Sequence, residues 1–385
     1  MKTIHLALLS TLLIVFMVSS CHKAEPLCCG PVTSSTPPTS SQVIADFCTH
    51  VASPDYTDLY NNAIAFQNAE ATFYANPNDN DLNTMRSSWK AMRAAYESAE
   101  GFLIGPIATQ NLDPAIDTWP VEQNELDSIL NSNDTLNVSF VSNLQPSLKG
   151  FHPVEYLIFG TTGTATAASF TVTATSPAGP RKKEYLHALT ANMVSVITQI
   201  KSAYVVGSSN DYETVLNTAG SNATYPTHRA ALLDLVSAMS GICNEVGGSA
   251  SDGKINSVYI TQDPTLQESY FSNNSWTDFT DNITGVKNVY LATYKGSASG
   301  HSMHDLVSAK NLTLDNTIQS KLNAAIGSFS TVHLPFGQSV QTNGGERTQV
   351  VNIMNAIRDL QDILDDGIPN NNHDLTDFMN QYVTD

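Results

Sequence analysis

Apolar residues that return at every third and fourth position constrain this chain more than any other feature of its sequence. The pattern runs through residues 55–74, 79–104, 181–205, 226–248, 276–295, 312–330 and 346–366. An α-helix places such positions along one face, so the chain is expected to be all-α. Start signals agree. Ser275 with Asp278 and Ser302 with Asp305 fit the Ser-x-x-Asp capping pattern, and Trp119-Pro120 puts a proline where a helix commonly begins.

Two stretches interrupt the periodicity. Residues 161–180 are Thr/Ala-rich and alternate apolar and polar around Phe170, Val172 and Ala174, which suits a loop or short hairpin. Residues 207–224 are rich in Asn, Ser and Gly. The second break predicts a boundary, with one four-helix-bundle-like domain over residues 43–206 and another over residues 207–385.

The N-terminus has a different character. Met-Lys-Thr precedes a mostly apolar run from His5 to Met17, then Val18-Ser19-Ser20-Cys21. A short charged region followed by a short apolar one is the order of an export signal. The run is too short to span a bilayer, which takes roughly 20 apolar residues. Small residues leading to a cysteine are what lipoprotein processing requires, so residues 1–20 are expected to be removed and Cys21 lipidated. An ordinary signal peptide with Cys21 as a bystander is the alternative, but no A-x-A-like site precedes the cysteine. Residues 22–42 include Pro-Val-Thr-Ser-Ser-Thr-Pro-Pro-Thr-Ser-Ser, which cannot bury a core. They are expected to form a flexible tether, with the fold starting near Val43.

Only 14% of residues are charged, and the net charge is -18. Such a chain repels polyanions and draws cations, which excludes nucleic acid as a partner. With Cys21 lipidated, Cys28, Cys29, Cys48 and Cys243 remain; Cys243 lies in an apolar helical pattern, and no pairing is dictated.

Four places could carry chemistry. In Gly150-Phe151-His152-Pro153-Val154-Glu155-Tyr156, a helix starting at Pro153 would make His152 its cap. His152 and Glu155, three apart, could then converge on a metal ion, although a Glu at that position also commonly bonds back to the cap. On the 79–104 helix, a turn of about 100° per residue places Trp89, Arg93, Tyr96 and Glu100 in one sector beside Met85 and Leu103. Arg and Glu within an apolar stripe are costly unless paired or used. They read either as an Arg93–Glu97 or Arg93–Glu100 ion pair, or as a functional set with Glu100 a third oxygen ligand and Arg93 an orienting or anion-binding group. Gln267-Glu268-Ser269-Tyr270-Phe271-Ser272 is the third place. The fourth is Gly300-His301-Ser302-Met303-His304-Asp305, where His301 and His304 read as a second metal pair or as solvated histidines beside a cap. The sequence has no His-Glu-x-x-His, Gly-x-Ser-x-Gly, P-loop or Cys-x-x-Cys.

Gly150-Phe151-His152-Pro153-Val154-Glu155 resembles the GxHxxE motif of the imelysin-like proteins. Trp89 through Phe102, ending at Gly105-Pro106, is similar to that family's W-x-x-x-R-x-x-Y-x-x-x-E-x-F…GP helix, and Trp119-Pro120 to its Trp-Pro. Glu268-Ser269 with Ser272, then Asp278-Phe279, Asn282-Ile283 and Gly285, resemble its C-terminal E-S-x-x-S block, and Ser302 with Asp305-Leu306-Val307 another segment. The resemblance covers roughly residues 50–365. It implies an all-α pair of helical bundles with the motifs meeting between them, in an exported or envelope-anchored protein of a family associated with iron uptake and labelled as peptidases. His152 and Glu155 would be the metal pair. Arg93, Glu100, Glu268 and Ser302 would line the same cleft, with Trp89, Tyr96 and Ser269 beside them. His301, His304 and the elaborated 161–180 loop depart from the pattern, and that loop, directly after the motif, would act as a lid.

The expected function is capture of iron, another metal or an iron-related ligand by a lipoprotein of the cell envelope, with a membrane held through lipid and an outer-membrane transport partner. The alternative is a metallopeptidase using His152 and Glu155. Catalytic zinc takes three protein ligands and an open position, so that reading needs Glu100 as well.

Overall fold

Every regular element among the described residues is a helix, and no strand is present among them. The computed structural model describes residues 37–161, 163–172, 178–249, 253–297, 300–368 and 373–384. Its main helices are α1 (Ser40–Phe47), α2 (Ser53–Ala75), α3 (Asp79–Ala99), α4 (Phe151–Phe159), α5 (Gly179–Ser202), α6 (His228–Gly247), α7 (Lys254–Thr261), α8 (Ser275–Leu291), α9 (Met303–Ser308), α10 (Leu312–Ser328), α11 (Arg347–Leu364) and α12 (Leu375–Tyr382). The seven long periodic segments correspond to α2, α3, α5, α6, α8, α10 and α11. None of the described helices is long and apolar enough to cross a membrane. Residues 1–36, with Cys21, Cys28, Cys29 and most of the expected tether, lie outside the described residues.

Local chemistry explains the helix starts. Asn78 caps α3 by accepting from the Asp81 N–H, and Asp79 and Asp81 sit at the positive end of the helix dipole. Ser302 and Asp305 form the predicted capping box on α9. α1 begins at Ser40, three residues ahead of Val43, because Thr39 and Gln42 make a capping box of their own. Two expected starts differ. Asn274, not Ser275, precedes α8, and Ser275 is its buried first residue. The chain before α8 folds back over the helix end, so the Ser275 hydroxyl accepts from the Ser269 N–H at 3.3 Å. Asp278 meanwhile accepts from the Asn274 amide at 2.7 Å and from the Ser269 hydroxyl. Pro120 follows a cis peptide bond and opens no helix; the next one starts at Gln123.

The described part of the 161–180 loop contains a short 3-10 turn, Ala167–Phe170. Phe170 is buried with its ring 5.0 Å from Phe73, and the Ala167 N–H donates to Asp79 at 2.8 Å. This portion is fastened to α2 and α3. Residues 162 and 173–177, with Ala174, lie outside the described residues, and Val172 is exposed. Cys48 and Cys243 are buried free thiols, Cys243 in the core as its apolar surroundings predict.

Residues Pro37–Asp385 cluster as one compact unit. α2 packs on α3 and α5, α11 on α6 and α10, and α8 lies along α3. The α3–α8 seam brings the 79–104 pattern against the block around Glu268, and its closeness has a local cause. A Cβ on Gly285 would stand 2.1 Å from the Ser98 carbonyl oxygen, and one on Gly101 3.0 Å from the Gly285 carbonyl carbon. Backbone meets backbone here because neither glycine carries a side chain. Gly285→Ala is therefore expected to force the seam apart and lower stability by about 2 kcal/mol, measured by urea unfolding. An unchanged midpoint would show that the seam does not depend on this approach.

Candidate metal centre

The site is assembled from α3, the 113–117 turn, the start of α4, the segment before α8, and α7. On α3, the predicted sector of Trp89, Arg93 and Tyr96 is buried, together with Glu97; Glu100 follows in a 3-10 turn. α4 does not start at Pro153 with His152 as its cap. Gly150 occupies the cap position with φ 91°, and His152 is the second helical residue. The Phe151 N–H donates to the Ile116 carbonyl at 2.7 Å, and a Cβ on Gly150 would stand 2.1 Å from that oxygen. Only glycine allows this approach, and it brings His152 beside Asp117.

Arg93 forms the hub. Its guanidinium pairs with Asp117 and Glu97 and reaches Glu268 Oε1 at 2.6 Å. His152 Nε2 lies 3.2 Å from Asp117 Oδ1 and 3.3 Å from Glu268 Oε1, yet neither is aligned for a hydrogen bond to it. On the other edge of the ring, Nδ1 is 3.5 Å from Glu155 Oε2. The second Glu155 oxygen accepts the Ser272 N–H at 2.7 Å. The Asn282 amide donates to Glu97 at 2.6 Å and also to Glu100. Lys254 Nζ sits 3.2 Å from Glu268 and 3.0 Å from Glu245.

Donor atoms of Asp117, His152 and Glu268 lie within 4.8 Å of one another, as do those of Glu97, Glu100 and Asp117. Asp117 is common to both sets. Nitrogen and carboxylate donors together suit iron, zinc or manganese. His152 Nε2, buried between two carboxylates, is the feature that fits a cation, which would take the place of the proton that these carboxylates otherwise hold on the ring. The structure does not gather His152, Glu155 and Glu100 as one set: Glu155 faces Nδ1, where it orients the ring, and Glu100 belongs to the second set. A recess of about 220 Å³, lined by Glu100, Asp113, Asp117, Glu245 and Gly241 among others, adjoins both.

Other expected residues do different work. Trp89 donates its indole N–H to the Phe151 carbonyl at 3.2 Å and so braces the start of α4. Tyr96 donates to Asp113, and Ser269 to Asp278. Ser302 does not join the cluster, because its hydroxyl is committed to the α9 cap. His301 pairs with Asp46 and His304 with Asp315, separately from the site. Asp117, Lys254 and the ligating side of Glu97 were not legible as site residues. Asp117 lies two residues before the flagged Trp119-Pro120, the one signal that could have found it; nothing local marks Lys254.

Burial sets the protonation of the cluster. It pushes the Glu97 carboxyl up to about 8 against the pull of Arg93, and raises Glu100 well above the usual range despite Lys254. Burial and the neighbouring Asp117 bring Asp113 to about 6. For Asp117, burial is outweighed by Arg93 and His152, which hold it well below the usual range. Glu268, buried but facing Lys254, His152 and Arg93, falls to about 2. Burial disfavours the charged His152 imidazole, but its contacts with Asp117, Glu155 and Glu268 prevail and hold it well above its ordinary value.

An all-helical protein with a buried carboxylate–histidine centre is the class these features define. The chain belongs to the imelysin family, whose family model (imelysin peptidase) matches residues 52–364. It is similar to iron-regulated protein A of Synechococcus elongatus, 25% identical over 328 residues, covering 85% of each chain. The crystal structure of an iron-regulated protein A precursor from Parabacteroides distasonis matches with a TM-score of 0.74 and 27% identity, over 85% of this chain and 94% of that one. An imelysin-like protein from Psychrobacter arcticum shares the fold, with a TM-score of 0.62 and 10% identity over 85% of this chain and 95% of its own.

The shifted groups give a pH dependence of definite sign. A carboxyl such as Glu97, at about 8 in the fold, keeps a proton that the unfolded chain loses near its ordinary 4.5. Folded His152 likewise stays protonated above its ordinary 6.5. The folded state then binds more protons across this window, so stability falls as pH rises. Asp117 and Glu268 act oppositely, contributing stability above about pH 4 that is lost as pH falls further. The metal-free protein is expected to unfold at lower urea at pH 8 than at pH 5.5, with Glu97→Gln flattening the difference. A midpoint that rises with pH would contradict these protonation states.

Proposed function

We propose that the protein captures a metal ion at Asp117, His152 and Glu268, with iron as the cargo and uptake as the setting. The observation that carries the reading is His152 Nε2, buried and facing two carboxylates at 3.2 and 3.3 Å without hydrogen-bond alignment to either. Its Nδ1 edge is oriented by Glu155, the arrangement usual for a metal-bound histidine. The names of the relatives from Synechococcus elongatus and Parabacteroides distasonis support iron as the element. The recess beside Glu100 and Asp117, which touches this donor set at Asp117, would be the approach from solvent. Lipid on Cys21 would hold this binding unit at the cell envelope, and the tether after it would let the unit reach a transport partner in the outer membrane. Metallopeptidase action fits less well. A scissile carbonyl and a water would both have to reach His152, whose side chain is 0% exposed, whereas catalytic zinc keeps an open position.

Titration of the purified protein with ferrous and zinc ions, read by calorimetry and by metal content after desalting, tests this. His152→Ala is expected to abolish binding, and Glu155→Gln to weaken it about 10- to 100-fold. Gly241 lines the recess, and nothing stands within 4 Å of where its Cβ would be. Gly241→Leu should therefore slow loading while leaving the centre intact. Full binding by His152→Ala would sink the assignment, and metal-dependent proteolysis lost in the same variant would favour the peptidase. Cys21→Ala should move the protein from the membrane to the soluble fraction.

A further inference from the structure

Lys254 stands among the acidic groups of the centre with an unusual set of partners. Its Nζ lies 3.2 Å from Glu268 Oε2, 3.0 Å from Glu245 Oε1 and 3.9 Å from Glu100 Oε2. These carboxylates come from three separate segments: the stretch before α8, α6, and the turn after α3. Glu268 and Glu100 each belong to one of the two donor sets that share Asp117. Glu245 belongs to neither; it lines the recess and its side chain is 51% exposed. Lys254 is also the first residue of α7, where the helix dipole disfavours a cation. The carboxylates, not the helix, account for its position.

Arg93 and Lys254 are not equivalent cations. The Arg93 side chain is 0% exposed and its planar fork is engaged by three carboxylates at once, so it cannot leave without stranding all three. The Lys254 ammonium is a single point charge on a flexible stem, and its side chain is 14% exposed. It already touches a carboxylate that faces solvent. A short swing towards Glu245 would free Glu268 and Glu100 while keeping the ammonium paired.

We infer that Lys254 is a resident counter-ion that an incoming metal ion displaces, moving from Glu268 and Glu100 to Glu245. This rests on the metal reading above and adds how the metal-free centre is held together and which cargo it selects. A divalent or trivalent ion brings more charge than one ammonium and binds oxygen at about 2.0–2.2 Å, so it can win the exchange. An anionic chelate cannot drive it, because it would be drawn to the ammonium and would leave Lys254 in place. Size agrees. A recess of about 220 Å³ has room for on the order of seven waters, enough for a partly hydrated ion. The cargo is therefore the free or aquated cation.

The test is a double-mutant cycle on the full chain, titrated with ferrous ion under anaerobic conditions and with zinc. Lys254→Met removes the competing charge and is expected to tighten metal binding by roughly tenfold or more. Glu245→Gln removes the place to which the ammonium retreats, so it should weaken binding several-fold in the wild-type background and do nothing in Lys254→Met. If the methionine leaves Glu268 too poorly partnered for folding, Lys254→Gln removes the same charge and keeps a hydrogen-bond donor. Equal weakening by Glu245→Gln in both backgrounds would make Glu245 a ligand and overturn the exchange. Weaker binding in Lys254→Met would mark Lys254 as a contact for an anionic cargo, with the same consequence. Wild-type protein that binds metal through His152, with Lys254→Met no tighter, refutes the exchange alone. Wild-type protein that binds no metal refutes the reading of the centre and the exchange together.

Discussion

Arg93 is the charge around which the rest of the centre is arranged. Its guanidinium engages Glu97 on its own helix, Asp117 from the turn before Trp119, and Glu268 from a segment 175 residues further along the chain. Breaking such a buried set by removing Arg93 would cost about 3–5 kcal/mol, because Asp117 and Glu268 would be left charged without compensation. Folding therefore cannot finish until three distant stretches agree on one place. The same requirement concentrates largely buried carboxylates at one point beside the recess, a condition that hydrophobic packing alone would never favour.

That dependence explains which parts of the molecule were legible in the sequence. The helices were, because α2, α3, α5, α6, α8, α10 and α11 each carry an apolar face that repeats locally. His152 and Arg93 also stood out, one through its spacing from Glu155 and the other as a charge within an apolar stripe. Asp117 did not, since an acidic residue in a turn looks like any solvated one until Gly150 and Ile116 bring His152 against it. Lys254 was hidden for the same reason: its partners are defined only by tertiary structure. His152 is not the cap, because Gly150 takes that position with a positive φ that a residue pattern does not reveal. Ser302 matches the family segment in sequence, and in the fold its hydroxyl bonds to Asp305 at the start of α9.

The two edges of the His152 ring show how one motif divides its work. Glu155, three residues on, fixes Nδ1 and is itself held by the Ser272 N–H. Asp117 and Glu268, from outside the motif, face Nε2. A GxHxxE sequence thus specifies the orientation of a nitrogen and leaves the partners of that nitrogen to the rest of the chain. The Ser272 contact links that orientation to the same segment that supplies Glu268, so the two halves of the centre are set together.

The glycine contact between α3 and α8 has a consequence for how such a centre could diversify. Asn282, one turn before Gly285, reaches across to Glu97 and Glu100, and Gly101 follows Glu100 directly. With the two backbones touching at that point, the helices have no slack with which to open like jaws around a larger guest. If the proposed metal capture holds, descendants of this architecture would have to change what they bind by trimming or filling the walls of the recess, at positions such as Gly241 and Ile242 on α6. The seam is a fixed gauge, and variation is left to the wall facing it.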